Sequence, residues 1–276
     1  MSPHRGTERS YSRLPAQTIR YLDAIIETCA HASPASIVLF GSAASGGASS
    51  VSDVDLIVVL PDDATPDTTQ RLRDEIAHLE VTFGFRPSPF AGSRGWRSRV
   101  ERAAGHLFPC CVCTRRELLS GDVAAVLGLR RWEAPFVDRI ILASIVASAV
   151  TIAGEDLVPR IAVPPIRHAD VFKALFSFVC QIVLSIAVFP VLSDATKFAM
   201  GALKHSVRCC YFCYHRRSAP LNEEIAFFNR RFGASRTLMA LLALRRQYRP
   251  SFWFIIRCLP TVVSLQVRTA RDFGRP

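Results

Sequence analysis

The sequence predicts a two-unit protein: an α/β unit of three or four strands, followed by an all-helical unit. Three observations carry that expectation. Apolar periodicity changes along the chain: short runs such as "SIVLF" and "DLIVVL" read as strands, whereas after "RELLSGD" apolar residues recur at helical spacing. Charge divides as unevenly as periodicity does. Residues 1–155 hold 16 basic and 17 acidic side chains, residues 156–276 hold 18 and 6, and the whole chain carries +11. Finally, 276 residues, half of them hydrophobic, suffice for two separate cores. The expected boundaries are a polar tail at 1–14, the α/β unit at 15–125 and the helical unit at 126–276.

Each element follows from local signals. "PAQTIRYLDAIIETCAHA" places Ile19, Leu22, Ile25, Ile26 and Cys29 on one helical face, with Pro15 near its start. "SIVLFGS" reads as a buried strand ending in a turn, and "SDVDLIVVLP" as a second strand closed by Pro61. "TPDTTQRLRDEIAHL" opens with the Thr and Asp that suit a helix N-terminus. "LEVTFGF" fits two patterns: an alternating strand, or an extension of that helix to a C-terminal Gly84. "RPSPFAGSRGWRSR" is a loop, and "HLFPCCVCT" a further strand. The expected helices beyond are "FVDRIILASIVASAVTIAG", "ADVFKALFSFVCQIVLSIAVF", "DATKFAMGALKHSVRCCYFCYHRR", "NEEIAFFNRRF" and one or two more, separated by prolines.

The stretch "LFGSAASGGASSVSDVDLI" is the chemical centre of the chain. On a strand, residues two apart share a face, so Asp53 and Asp55 aim their carboxylates the same way, roughly 6–7 Å apart at Cα. Two parallel carboxylates need a cation between them, and oxygen ligands at this spacing suit Mg²⁺, which shares its remaining positions with water and phosphate. Gly41, lacking Cβ, lets a phosphate approach the backbone. Ser42 adds a hydroxyl and an N–H at the start of a short helix. One strand end is thus shaped for phosphate and the next for a phosphate-bound metal.

Gly-Ser, a spacer of ten residues, then Asp-x-Asp flanked by aliphatics resembles the hallmark of the DNA polymerase β-type nucleotidyltransferase superfamily. Gly41, Ser42, Asp53 and Asp55 match it position by position, with Ser52 before the first aspartate, and the likeness spans about residues 15–120. A helical domain after the catalytic unit is similar to the small stand-alone members, antibiotic adenylyltransferases and minimal nucleotidyltransferases among them. The resemblance implies a small mixed sheet and an Mg²⁺-dependent transfer of a nucleoside monophosphate, AMP foremost, from ATP or another nucleoside triphosphate to a hydroxyl. Asp53 and Asp55 would bind one or two Mg²⁺ ions, and Gly41 and Ser42 the triphosphate. Two departures stand out: the spacer "AASGGASSV" has no Arg or Lys, and the family's third carboxylate has no unambiguous counterpart. Glu80 fills that catalytic role if "LEVTFGF" is a strand; Glu117 and Asp122 sit in what reads as a helix start. Without a third acid, the same fold would serve as a nucleotide-binding antitoxin or regulator.

The helical half is expected to carry the acceptor site, with Lys204 and Arg208 at i, i+4 and Lys204 placed on the triphosphate. The acceptor stays open among RNA, a protein hydroxyl and a small molecule, and the +12 of residues 156–276 favours an anionic one. "RRQYRPSFWF" mixes arginines and aromatics as an RNA-contacting strip does, or as a helix end packed on a core does. Nine cysteines and a polar N-terminus without an apolar segment fit a reducing cytoplasm, with thiols used as small hydrophobes. The Cys110–Cys113 and Cys210–Cys213 pairs read as a buried strand and a helical apolar stripe rather than a zinc site. Residues 174–193 form 20 uncharged residues, nearly a bilayer span. Gln181, three serines and Pro190 favour a bundle helix buried on most sides; a membrane anchor is the competing reading.

Overall fold

A computed structural model describes residues 14–44, 54–85, 110–129, 137–192 and 194–273. Residues 1–13 of the expected polar tail, the spacer after Ala44 and the Arg-rich loop after Phe85 lie outside them. The chain divides into two compact units: Met1–Ser88, Phe108–Leu129 and Ser148–Val163 form one, and Pro89–Leu107, Arg130–Ala147 and Pro164–Pro276 the other.

In the first unit, α1 (Ala16–Cys29) buries Tyr21, Leu22, Ile25 and Cys29, one side of the expected stripe. Strand β1 (Ser36–Phe40) leads into α2 (Gly41–Ala44), a single helical turn, and β2 (Asp55–Leu60) returns antiparallel to β1, with Phe40 opposite Asp55. Next, α3 (Pro66–Thr82) begins with Pro66 at its first position and Thr65 as cap, its hydroxyl accepting from the Thr68 N–H at 3.1 Å. Strand β3 (Cys110–Thr114) lies parallel to β2. Two short helices follow, α4 (Arg115–Ser120) and α5 (Val123–Val126). Among the described residues the strands form one mixed sheet in the order β3-β2-β1-β4. Leu56, Val58 and Leu60 pack with Ile37, Leu39, Cys110 and Val112 against α1 and α3.

Two expectations meet a different outcome. "LEVTFGF" is not a strand: α3 runs to Thr82, and Gly84 at φ +76° turns the chain out of it. Leu72, Ile76 and Glu80 continue one helical face. Phe83 and Phe85 fold back onto Tyr21, with ring centroids 5.6 and 4.7 Å away, so the apolar alternation is met by packing after the helix end. The other is "VTIAG", expected to end a helix. Instead α6 (Arg139–Ser148) stops, and β4 (Val150–Gly154) pairs antiparallel with β1. Its β-branched Val150, Thr151 and Ile152 suit a strand, and their pairing covers the edge that β1 would otherwise expose.

The second unit is a helical bundle: α6, α7 (His168–Val188), α8 (Ala195–His215), α9 (Leu221–Phe232), α10 (Arg236–Arg246) and α11 (Phe252–Asp272). The long helices α7, α8 and α11 pack on one another around Phe178, Ile182, Leu203, Val207, Ile255 and Val262. Buried polar groups tie the helices together. Asp170 accepts from the N–H of Arg167 at 2.8 Å and of Arg139 at 3.4 Å, joining the starts of α7 and α6. Gln266 donates to Ser206 at 3.1 Å between α11 and α8.

Helix α7 corrects the expectation drawn for residues 174–193. It belongs to the bundle, but only one third of its most apolar stretch is buried. Val171, Ala174, Phe178, Ile182 and Val188 face the core, whereas Phe172, Phe176 and Val183 are more than half exposed.

Candidate functional site

The candidate site lies at one end of the β1–β2 hairpin. Its register sets Phe40 opposite Asp55, so Gly41, one residue on, stands beside the Asp55 side chain. Gly41 adopts φ +72°, a left-handed conformation that costs any L-residue about 1–2 kcal/mol. A Cβ built there would overlap Asp55 Oδ2 and come within 3.1 Å of its Cγ. Glycine is therefore required twice over, by the backbone turn and by the carboxylate lying against it. Alternation along β2 sets Asp55 on the face of Ile57 and Val59, opposite the residues that pack on α1 and α3. Asp55 is half-buried at this strand start.

The other expected site residues distribute as follows. Ser42 lies within α2, so a short helix does begin at the bend. Asp53 is outside the described residues. Glu80, expected as a third carboxylate if its segment were a strand, is on α3 instead, in the layer beneath the other face of the sheet, and is 2% exposed. Its charge and that of Asp55 both reach Tyr21 and Cys111. Lys204, expected on the triphosphate, is half-buried on α8 in the second unit. Its neighbour Arg208 acts on Glu224, pulling down a carboxyl that burial raises.

Glu117 and Asp122 are helix caps. Thr114 N–H donates to Glu117 Oε2 at 2.7 Å while Glu117 N–H donates to the Thr114 hydroxyl at 3.3 Å, a reciprocal capping box. Asp122 accepts from the Ala124 N–H at 2.9 Å. Because β3 runs parallel to β2 with Thr114 beside Leu60, Glu117 stands near the far end of β2, five strand residues or roughly 16 Å from Asp55.

Buried thiols line the sheet next to the site. Burial, then the Asp55 charge, pushes Cys111 up to about 12, with Arg73 opposing. Burial likewise raises Cys110 and Cys113. At neutral pH they are protonated hydrophobes, neither nucleophiles nor competitors for a cation. Arg73 is a residue the sequence reading passed over. It donates to the Val112 carbonyl at 2.8 Å and so pins α3 to β3. Nothing in "QRLRDE" separates it from a solvent-facing helix arginine. Among the described residues no group of three or more His, Cys, Asp or Glu side chains is placed to hold a metal ion. The oxygen donor that is described, the Asp55 carboxylate against the Gly41 turn, suits a hard cation shared with phosphate.

Comparison with known proteins bears on the fold. Residues 22–87 match the family model of the nucleotidyltransferase domain, a span that contains Gly41, Ser42, Asp53, Asp55 and Glu80. No curated protein sequence matches the chain. Among solved structures, the fold is similar to that of the spectinomycin adenyltransferase AAD(9) from Enterococcus faecialis, crystallised with ATP and spectinomycin. The identity is 12%, the TM-score 0.50, and the match covers 92% of this chain and 98% of that one. The small mixed four-strand sheet with its helices thus matches a nucleotidyltransferase fold followed by a helical region.

Proposed function

We propose that the nucleotidyltransferase domain at residues 22–87 works as a magnesium-dependent enzyme, moving a nucleoside monophosphate from a nucleoside triphosphate to a hydroxyl acceptor. The observation that carries the reading is the contact of Gly41 with Asp55: a bare left-handed backbone with a carboxylate lying directly on it. Bare backbone admits a phosphate, while the adjacent carboxylate repels one unless a cation joins them. Asp55 and Asp53 are the residues that would hold Mg²⁺, and Gly41 and Ser42 would face the triphosphate. Bound there, magnesium supplies the positive charge that offsets the charge of the triphosphate.

The chain's own residues then have defined tasks. The Gly41 turn orients the triphosphate so that its α-phosphorus faces the acceptor. The acceptor oxygen bonds to that phosphorus, the bond to the β-phosphate oxygen breaks, pyrophosphate leaves, and the hydroxyl proton passes to a base. Positioning accounts for most of such a rate enhancement. The role of Glu80 as the third acid rested on a strand that does not form; Glu80 enters the proposal as a buried charge beneath β3.

ATP is the first co-substrate to test, as the fold relative is an adenyltransferase crystallised with it. Spectinomycin, the acceptor in that crystal, belongs in the screen beside RNA 3′ ends and protein hydroxyls, which the basic second half favours. The test is release of pyrophosphate from α-labelled ATP by the full chain with Mg²⁺, with label appearing on the acceptor. Both signals are expected to vanish in Asp55→Asn and Asp53→Asn. ATP bound without pyrophosphate release across the screen would replace this reading with that of a nucleotide-binding regulator.

A further inference from the structure

Helix α7 combines exposed apolar side chains on its outer side with a cationic rim. Phe172 and Phe176 are 56% and 55% exposed, Val183 51%, and Val191, just past the helix end, 65%. Phe172, Phe176 and Val183 follow one another at intervals of four and seven residues, which keeps them on one side of the helix over about 16 Å. The stripe is continued by a second element. Phe189 touches Phe252 at the start of α11, with centroids 5.3 Å apart, and His168 touches Phe273 beyond its end, at 5.0 Å. The two helices therefore lie antiparallel. Trp253, 71% exposed, stands beside Phe252 at the end where α7 finishes. A face of this size, holding two phenylalanines and a tryptophan, is larger than scattered surface hydrophobes explain.

The charges around it have one sign. Arg167 and Lys173 sit at the N-terminal end of α7, Arg271 at the adjoining end of α11, and Arg249 and Arg257 near Trp253. The carboxylates described in this unit are engaged or remote. Asp170 is buried under two backbone N–H groups, Asp194 pairs with Lys197, and Asp272 pairs with Arg231. Asp138 and Glu224 are buried, and Glu223 lies on α9, which packs on α8 and α10.

We infer that this α7–α11 face docks on the surface of an anionic lipid bilayer, lying along it rather than spanning it. A bilayer surface offers both things the face needs: acyl chain to bury the stripe and headgroup phosphate for the arginines, with Trp253 at the boundary where tryptophan prefers to sit. A second copy of the chain would bury the stripe but bring cationic rims together. An RNA would satisfy the arginines yet leave Phe172, Phe176 and Val183 in water, because that stripe offers no polar group to a base edge. Spanning is disfavoured because the opposite side of α7 is packed into the bundle around Phe178 and Ile182 and carries the buried Asp170.

The test uses the full chain with vesicles of phosphatidylcholine alone and with about 30% phosphatidylglycerol. Co-sedimentation is expected with the anionic vesicles, weakening in about 0.5 M salt and nearly lost with neutral ones. Phe172→Glu and Phe176→Glu are each expected to lower the partition coefficient roughly tenfold or more. Both sites are exposed, and thermal unfolding confirms that the variants fold. With Trp96→Phe and Trp132→Phe, the remaining Trp253 is expected to shift its emission to the blue on binding and to be quenched by brominated lipid. Absence of binding, or binding unchanged in the Phe variants, overturns the inference. So does a dimer that Phe176→Glu dissociates, or binding of single-stranded RNA that is lost in the same variants.

Discussion

Replacing Gly41 by alanine tests the geometry of the candidate site most sharply, because two separate costs meet at that position. The left-handed φ of +72° costs an alanine about 1–2 kcal/mol. The added methyl would also overlap Asp55 Oδ2, so the carboxylate or the turn must move, an overpacking cost of about 1–3 kcal/mol. Together Gly41→Ala is expected to destabilise the first unit by about 2–5 kcal/mol. Two glycines serve as controls. Gly84 has φ +76° but only Gln17 Nε2 near the built Cβ, at 4.0 Å, so Gly84→Ala isolates the backbone term. Gly201, inside α8, meets nothing within 4 Å, and Gly201→Ala is expected to stabilise by up to about 1 kcal/mol. Urea unfolding of the full chain, followed by circular dichroism, ranks the three. A shift of Asp55 by about 1 Å is further expected to cut pyrophosphate release roughly a hundredfold. Gly41→Ala no less stable than Gly84→Ala, or retaining full turnover, would refute the argument that Asp55 occupies the space beside Gly41.

Other outcomes follow from the same structure. Burial raises Asp138 and Glu224 to about 7 from 3.8 and 4.5, so the folded bundle holds their protons more tightly than the unfolded chain. The stability this contributes is complete below about pH 4 and drains away as pH rises to about 7. The two shifts correspond to at most roughly 4 and 3 kcal/mol respectively. Thermal unfolding between pH 5 and about 7.5 is expected to show a falling midpoint, flattened in Asp138→Asn; a midpoint rising over that range would contradict it. Glu117→Ala removes one arm of the capping box at α4. It is expected to cost about 1 kcal/mol in urea unfolding while leaving pyrophosphate release unchanged. A loss of turnover there would return Glu117 to the candidate site.

The parts of this fold legible in the sequence are those where local chemistry and tertiary packing agree. The Gly-Ser turn, the Asp55 strand and the Thr65 cap each announce themselves within a few residues, and Gly41 and Asp55 belong to one quoted stretch of the sequence. Less was legible where a segment's partner is distant in sequence. "LEVTFGF" alternates like a strand, yet the surface that absorbs Phe83 and Phe85 is Tyr21, some sixty residues earlier. "VTIAG" continues an apolar run and is a strand only because β1 offers it an edge more than a hundred residues away. For α7, composition gave the hydrophobicity but not its direction. Only the packing of α8 and α11 shows which stripe is left outside. The expectation that Lys204 meets the triphosphate has only helical periodicity behind it, a signal equally produced by any solvated helix face.

The central claim is that the Asp55 carboxylate, lying against the Gly41 turn, holds the divalent cation that a triphosphate needs there. Binding of Mn²⁺, in place of Mg²⁺, to the full chain with a non-cleavable ATP analogue, read by electron paramagnetic resonance, addresses it directly. The account predicts bound Mn²⁺ in the wild type, weakened by about tenfold or more in Asp55→Asn with the fold intact. Equal Mn²⁺ affinity in the two proteins would contradict it.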